Sequence, residues 1–333
     1  MIPDPSGVPS SPTGDARPAG VTAVGAAPGT NLLPGCARIL CLGIGGGGDV
    51  VGALGAARLL GRPFVVGGLT WERLPVDPVP GPRRLDEIVD HDVLSPTVAR
   101  ADGRTRTTGG IGFAESRMSD VLGAPTVLVD PNPGPAAVAD GIRDALGPLG
   151  CDGVLLVDVG GDVLAHGDEA GLASPLADAL LLAAGLRLVH AGVPTALGIV
   201  GAGCDGELTP DEVAARVAEI DDRSGVLADL PLDPEGLDDA LAHVVTEASA
   251  MAARCARGER GPATIRDGRR SVELTALGGR VLVLDVEAAI AGPARLARLL
   301  ADATDLEDGE ARLAAIGIRS ELAWERERTA TAG

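Results

Sequence analysis

A chain of 333 residues with 45% hydrophobic side chains can bury a large core, and its formal net charge of −19 repels phosphate-rich polymers, which argues against a nucleic-acid role. Aromatic residues make up 1% and tyrosine is absent, which removes the stacking platforms that single-stranded nucleic acids use. Lysine is absent as well, and with it the phosphate-loop lysine, the kinase strand lysine and the Schiff-base lysine of pyridoxal enzymes.

Residues 1–34 are rich in Pro, Gly, Ser, Thr and Ala without periodicity and read as a disordered tail ahead of a single α/β domain over 35–333. The first apolar run, Ile39 to Leu42, enters a turn of Gly43, Gly45, Gly46, Gly47 and Gly48. Asp49 then opens a run with helical spacing (Val50, Val51, Leu54, Ala57, Leu59, Leu60), which stops at Gly61-Arg62-Pro63 before a second apolar run from Phe64. This is strand, glycine turn, helix, strand: one βαβ unit at the centre of a parallel sheet.

Beyond a proline-rich crossing (75–82), Leu85, Ile88 and Val89 suggest a short helix, and residues 101–112 a polar glycine-rich loop carrying Arg104 and Arg106. A helix over 113–121, a strand over 126–129 ending at Asp130, and a helix over 136–146 follow. Val154 to Val157 is a buried-type strand ending in Asp158, and Ser174-Pro175 starts a helix. Residues 194–200 form a strand leading into Gly201 to Glu207. Thr209 to Glu212 is a capping box for a helix over 210–221. A longer helix from Asp233-Pro234 fades near Arg257. Residues 271–277 and 280–286 read as a hairpin around Gly278-Gly279, and two helices near 293–303 and 307–328 close the chain. The alternation argues a doubly wound, mainly parallel Rossmann-like sheet with an antiparallel C-terminal hairpin.

Such a sheet binds ligands beyond the carboxyl ends of its strands. The residues expected there are Gly45, Gly46, Gly47, Gly48 and Asp49; Glu72; Asp158, Asp162 and His166; and Asp205 and Glu207. Gly43, Gly45 and Gly48 fit G-x-G-x-x-G, with Glu72 near the place of a ribose-binding acid, which suggests NAD or NADP. Asp49 opposes this, because a carboxylate at the helix N-terminus repels a pyrophosphate there; it serves equally as a helix cap. Asp158 and Asp162, four apart across Gly160-Gly161, can share Mg²⁺ or bind an amine, or brace their own turn. His166 is the histidine within a polar glycine loop and the expected general acid or base. Cys204 beside Asp205 is not activated by its neighbours. Arg104, Arg106 and Arg117 can hold an anionic substrate group, or be solvated residues.

Three stretches carry a resemblance: GIGGGGDVVGA (43–53), DVGGDVLAHGDEAGLASPLADA (158–179) and GAGCDGEL (201–208). With the closing GIRSELAWER (317–326), they resemble the archaeal and actinobacterial domain of unknown function 1152 over most of 37–322. The resemblance implies a Rossmann-like fold and no particular reaction. The turn Gly43 to Asp49 alone is also similar to the D-glutamate cyclase family, which implies lyase or cyclase chemistry.

The expected function is acid/base chemistry on a polar, amino-bearing or phosphorylated metabolite in a carboxylate-rimmed crevice. Asp49, Asp158, Asp162 and His166 would react or bind metal, and the other named residues would hold substrate. The alternatives are a nicotinamide- or nucleotide-binding oxidoreductase and a non-catalytic ligand-binding or scaffold protein. The five scattered cysteines without C-x-x-C spacing suggest free thiols in a cytoplasmic protein. No apolar run approaches the ~20 residues of a membrane span, and no signal peptide is evident. The expected partner is a small-molecule ligand, and a homo-oligomer stays open.

Overall fold

The computed structural model describes residues 32–332. β1 (Ile39–Gly43), α1 (Asp49–Leu59) and β2 (Phe64–Leu69) form the expected βαβ unit. A 3₁₀ turn (Leu85–Glu87) leads into β3 (Ile88–Ser95) and β4 (Val98–Thr107), followed by α2 (Ala114–Leu122), β5 (Thr126–Val129) and α3 (Gly134–Leu149). Then come β6 (Gly153–Val159), a 3₁₀ turn (Asp162–Leu164), α4 (Pro175–His190), β7 (Thr195–Val200), α5 (Pro210–Asp221) and β8 (Val226–Pro231). α6 (Asp238–His243) and α7 (Glu247–Ala256) precede β9 (Gly261–Ile265), β10 (Arg270–Leu274) and β11 (Arg280–Asp285). The chain closes with α8 (Val286–Ala291), α9 (Arg295–Leu300), α10 (Leu306–Ala315) and α11 (Glu321–Ala332).

The main sheet runs β3-β4-β5-β2-β1-β6-β7-β11-β8. Its five central strands are parallel, and on each side two further strands join by antiparallel pairing. From β1 the chain moves outward through β2 on one side, then returns to β6 on the other. The strand order therefore reverses at β1 and β6, where a doubly wound sheet opens a crevice.

Every residue of β1 is buried, yet its side chains still alternate. Ile39 and Cys41 join the core with α1, whereas Leu40 and Leu42 join the core with α4. α1 lies close to the sheet because its contact residues are small. A methyl group on Gly52 would meet Val159 Cγ2 at 2.2 Å. Large aliphatic side chains supply the rest of both cores, each worth roughly 1.5–3 kcal/mol when fully buried.

Several local expectations change in three dimensions. The short helix suggested by Leu85, Ile88 and Val89 is a 3₁₀ turn over Leu85–Glu87 that passes directly into β3, and the expected loop over 101–112 belongs to β4 as far as Thr107. Within the latter, Thr105 and Thr107 are buried while Arg104 and Arg106 are exposed, a period-two pattern hidden by the surrounding Gly and Asp. The strands at 270–274 and 280–285 do not pair with each other. β10 pairs with β9 as a separate C-terminal antiparallel hairpin, and β11 inserts between β7 and β8. The long helix from 233 is interrupted at residues 244–246 between α6 and α7. The expected tail lies outside the described residues over 1–31, but Leu32 and Leu33 are buried in the core with α1.

Candidate functional site

The turn after β1 carries glycine at positions 45–48, so its backbone there is bare of side chains at the sheet edge. Gly46 and Gly47 take φ values of 81° and 60°, in the left-handed region that favours glycine. The turn is pinned by the Gly47 N–H donating to Trp71 O at 2.8 Å. Asp49 is the first residue of α1 rather than its N-cap. Its Oδ2 reaches back to accept from the Gly45 N–H at 2.9 Å. The N–H groups of Gly46 and Gly48 have no partner among the described residues.

β6 delivers the second group. Asp158 lies inside the strand, and its Oδ2 accepts from the Val163 N–H at 3.1 Å. Gly160 and Gly161 at φ 136° and 105° turn the chain, so that Asp162 faces the same space. Asp205 and Glu207 arrive on the loop after β7, the strand next to β6.

The N-terminus of α4 completes the arrangement. Glu207 receives the N–H groups of Ala173 and Ser174 at 2.7 and 2.8 Å and the Ser174 hydroxyl at 2.6 Å. Glu321 from α11 accepts the next pair, Leu176 and Ala177, at 3.0 and 2.8 Å. Two remote carboxylates thus satisfy the orphan donors of this helix, where its dipole favours negative charge. Asp178, one turn into α4, faces the cavity.

The result is a cavity of about 210 Å³ rimmed by Asp49, Asp158, Asp162, Asp178, Asp205 and Glu207. Ligand-capable oxygens fall into two groups, each within 4.8 Å: Asp49, Asp158 and Asp178 in one, Asp162, Asp205 and Glu207 in the other. Asp162 Oδ2, Asp178 Oδ1 and Asp205 Oδ1 are buried without a hydrogen-bond partner. Burial, and then the charge of Asp158, push Asp49 up to about 8. Burial pushes Asp158 up to about 6 against the pull of the Val163 and Gly161 N–H groups. Asp162, Asp178 and Asp205 lie well above the carboxylate range, through burial first and neighbouring carboxylates second.

Two arginines stand on the walls. Arg73 stacks 4.6 Å from the Trp71 ring, donates to Gly45 O, and lies 3.9 Å from both Glu321 and Glu325. Arg266 approaches Glu207 at 3.4 Å, with Arg270 behind it at 3.6 Å.

The structure thus brings together Gly45 to Gly48, Asp49, Asp158, Asp162, Asp205 and Glu207, as the sequence suggested. Asp158 and Asp162, which could share a cation, bind an amine or brace their own turn, line the same cavity, and their closest oxygen groupings are with different neighbours. Five other expected residues do not line the cavity. Glu72 is buried at the start of α2, where it accepts the Ala114 N–H and pairs with Arg117 at 3.4 Å, so it caps a helix rather than meeting a ribose. Arg104 and Arg106 sit on β4, engaged with Asp102 and Asp90 at 2.9 and 2.8 Å. His166 turns towards α5, with Nε2 3.2 Å from Glu219, and burial and Arg216 lower its pKa. Cys204 is buried 3.8 Å from Cys255, and that thiol contact together with burial pushes its pKa up, away from a nucleophilic role.

Sequence reasoning missed Asp178, Arg73 and Arg266. Asp178 had a usable signal: it is the one carboxylate in the otherwise apolar run PLADALLLAAGL, and a lone charge in a buried helix needs a reason. Arg73 and Arg266 carried none, because the acids that each meets, Glu321 and Glu325 for Arg73 and Glu207 for Arg266, come from distant parts of the chain.

A family model described as a protein of unknown function (DUF1152) matches residues 40–329. No curated protein and no solved structure matches the chain.

Proposed function

We propose that this chain, which belongs to the DUF1152 family, is a small-molecule enzyme doing acid/base chemistry of the lyase or cyclase type on a polar metabolite bearing an amino or phosphoryl group. The carrying observation is the pair of partnerless oxygens, Asp162 Oδ2 and Asp205 Oδ1, buried in a crevice at the reversal point of the sheet. Buried polar atoms are ordinarily satisfied, so these two reserve their bonds for a ligand. A carboxyl group within hydrogen-bond reach of substrate can take or give its proton. Glu207, already held by three donors, fixes the loop that presents Asp205. Arg73 and Arg266 supply positive charge for an anionic substrate group. The five free thiols fit a cytoplasmic setting.

The nicotinamide alternative is weakened by two engagements. Glu72 is spent on a helix cap, and Asp49 occupies the Gly45 N–H that a pyrophosphate would use.

The test is a thermal-shift screen of amino acids and phosphorylated metabolites, followed by assays of turnover for each compound that stabilises the protein. Asp205→Asn and Asp162→Asn should lower turnover at least a hundredfold while binding persists. Ligands that bind and are never transformed would leave the scaffold alternative standing instead.

A further inference from the structure

Asp49, Asp158 and Asp178 come from the start of α1, the end of β6 and the first turns of α4. Their oxygens lie within 4.8 Å of one another, and no arginine forms an ion pair with any of them among the described residues. The other oxygen group differs, because Glu207 there is flanked by Arg266 and Arg270. Asp178 is 2% exposed, and its Oδ1 has no partner. Gly45 lies against this group. A methyl there would lie 2.6 Å from Asp49 Oδ2 and 3.2 Å from both oxygens of Asp178. The missing side chain at Gly45 therefore leaves room beside Asp49 and Asp178.

We propose that Asp49, Asp158 and Asp178 together bind one divalent cation of the Mg²⁺ class. An all-oxygen, all-carboxylate donor set suits a hard cation and not a soft one. Three donors leave coordination positions for water or substrate, as Mg²⁺ prefers. The bound cation also reconciles two features in conflict: a glycine turn with bare N–H groups suited to an anion, and Asp49 beside it repelling one. The site shares the crevice of the proposed function but does not depend on the acid/base roles of Asp162 and Asp205.

The experiment titrates Mn²⁺ alone into the chelator-treated full chain by calorimetry. One site per chain is expected, weakened at least tenfold by Asp178→Asn and less than about threefold by Asp205→Asn. A second measurement needs no variant: crystals of the wild-type chain soaked in Mn²⁺ should give an anomalous peak among Asp49, Asp158 and Asp178. Absence of Mn²⁺ binding up to millimolar concentration overturns the proposal, as does equal affinity in a folded Asp178→Asn protein or a peak elsewhere. Mn²⁺ binding without turnover of any ligand would uphold this site and sink the enzyme reading. Turnover without Mn²⁺ binding would do the reverse.

Discussion

Asp49 and Asp158 bring carboxylate oxygens within 4.8 Å of each other although 108 positions separate them in the chain. The cause is strand pairing. β1 and β6 are parallel neighbours, with Gly43 opposite Val157, so the residues leaving both strands meet at one edge. Two acids that would repel in water are held together there because each is tied to a backbone N–H of its own turn.

Gly45→Ala should disturb this edge without any backbone strain, since Gly45 is not among the glycines of positive φ. The added methyl would lie 2.6 Å from Asp49 Oδ2, a clash that must displace that carboxylate. A loss of about 1–3 kcal/mol is expected from overpacking, together with loss of any stabilisation by Mn²⁺. Urea midpoints with and without Mn²⁺ measure both, and a variant as stable and as responsive as wild type would contradict the geometry.

Glu72→Ala should act on stability alone. It leaves the buried Ala114 N–H without its acceptor and breaks the pair with Arg117, a cost of about 1–3 kcal/mol. Its Mn²⁺ response should match that of wild type. If NAD bound tightly to the wild-type chain and Glu72→Ala removed that binding, the oxidoreductase reading would win.

Glu115 on α2 gives a pH prediction away from the cavity. It is buried, and burial first and Glu72 second raise its pKa well above 4.5. An acid with a raised folded-state pKa holds its proton longer when folded than when unfolded. Its stability contribution is therefore complete below pH 4.5 and is lost as pH rises towards the folded value. Glu115→Gln removes that loss, so its advantage over wild type should be near zero at pH 4 and grow with pH, by at most ~1.4 kcal/mol per unit. Melting curves of both proteins from pH 4 to 8 decide it; a constant difference would mean that Glu115 does not titrate in this way.

Two truncations separate the described N-terminus from what precedes it. Removing residues 1–34 rather than 1–31 takes away Leu32 and Leu33, which are 4% and 7% exposed. The longer deletion should be less stable than the shorter by roughly 2–4 kcal/mol. Equal denaturant midpoints would show that this contact contributes nothing in solution.

Trp71 can report on the crevice, because the Arg73 guanidinium stacked on it also lines the cavity. Trp324, the other tryptophan, is replaced by Phe to isolate the signal. Pyrophosphate should shift the remaining fluorescence only when Mn²⁺ is present, since the cation offsets the carboxylates. An equal response without Mn²⁺ would mean that the glycine turn and Arg73 suffice for the anion.

The sequence alone determined what is encoded within a few residues. The first βαβ unit, the strand over 126–129 and the capping box at Thr209 and Glu212 were legible because apolar spacing, turn glycines and caps act over one or two turns. So was the prospect that acids following parallel strands share an edge, which located Asp49, Asp158 and Asp205. Only the tertiary structure decided the rest. Glu72 followed a strand as the rule requires, but α2 packed over it and claimed its carboxylate. β11 left its sequence neighbour β10 for β7 and β8, where its alternate faces could be buried on both sides of the main sheet. Asp178 entered the cavity because two carboxylates from distant parts of the sequence, Glu207 and Glu321, anchor the start of α4. These outcomes depend on which distant surfaces exclude water together, and no short window of sequence contains both partners.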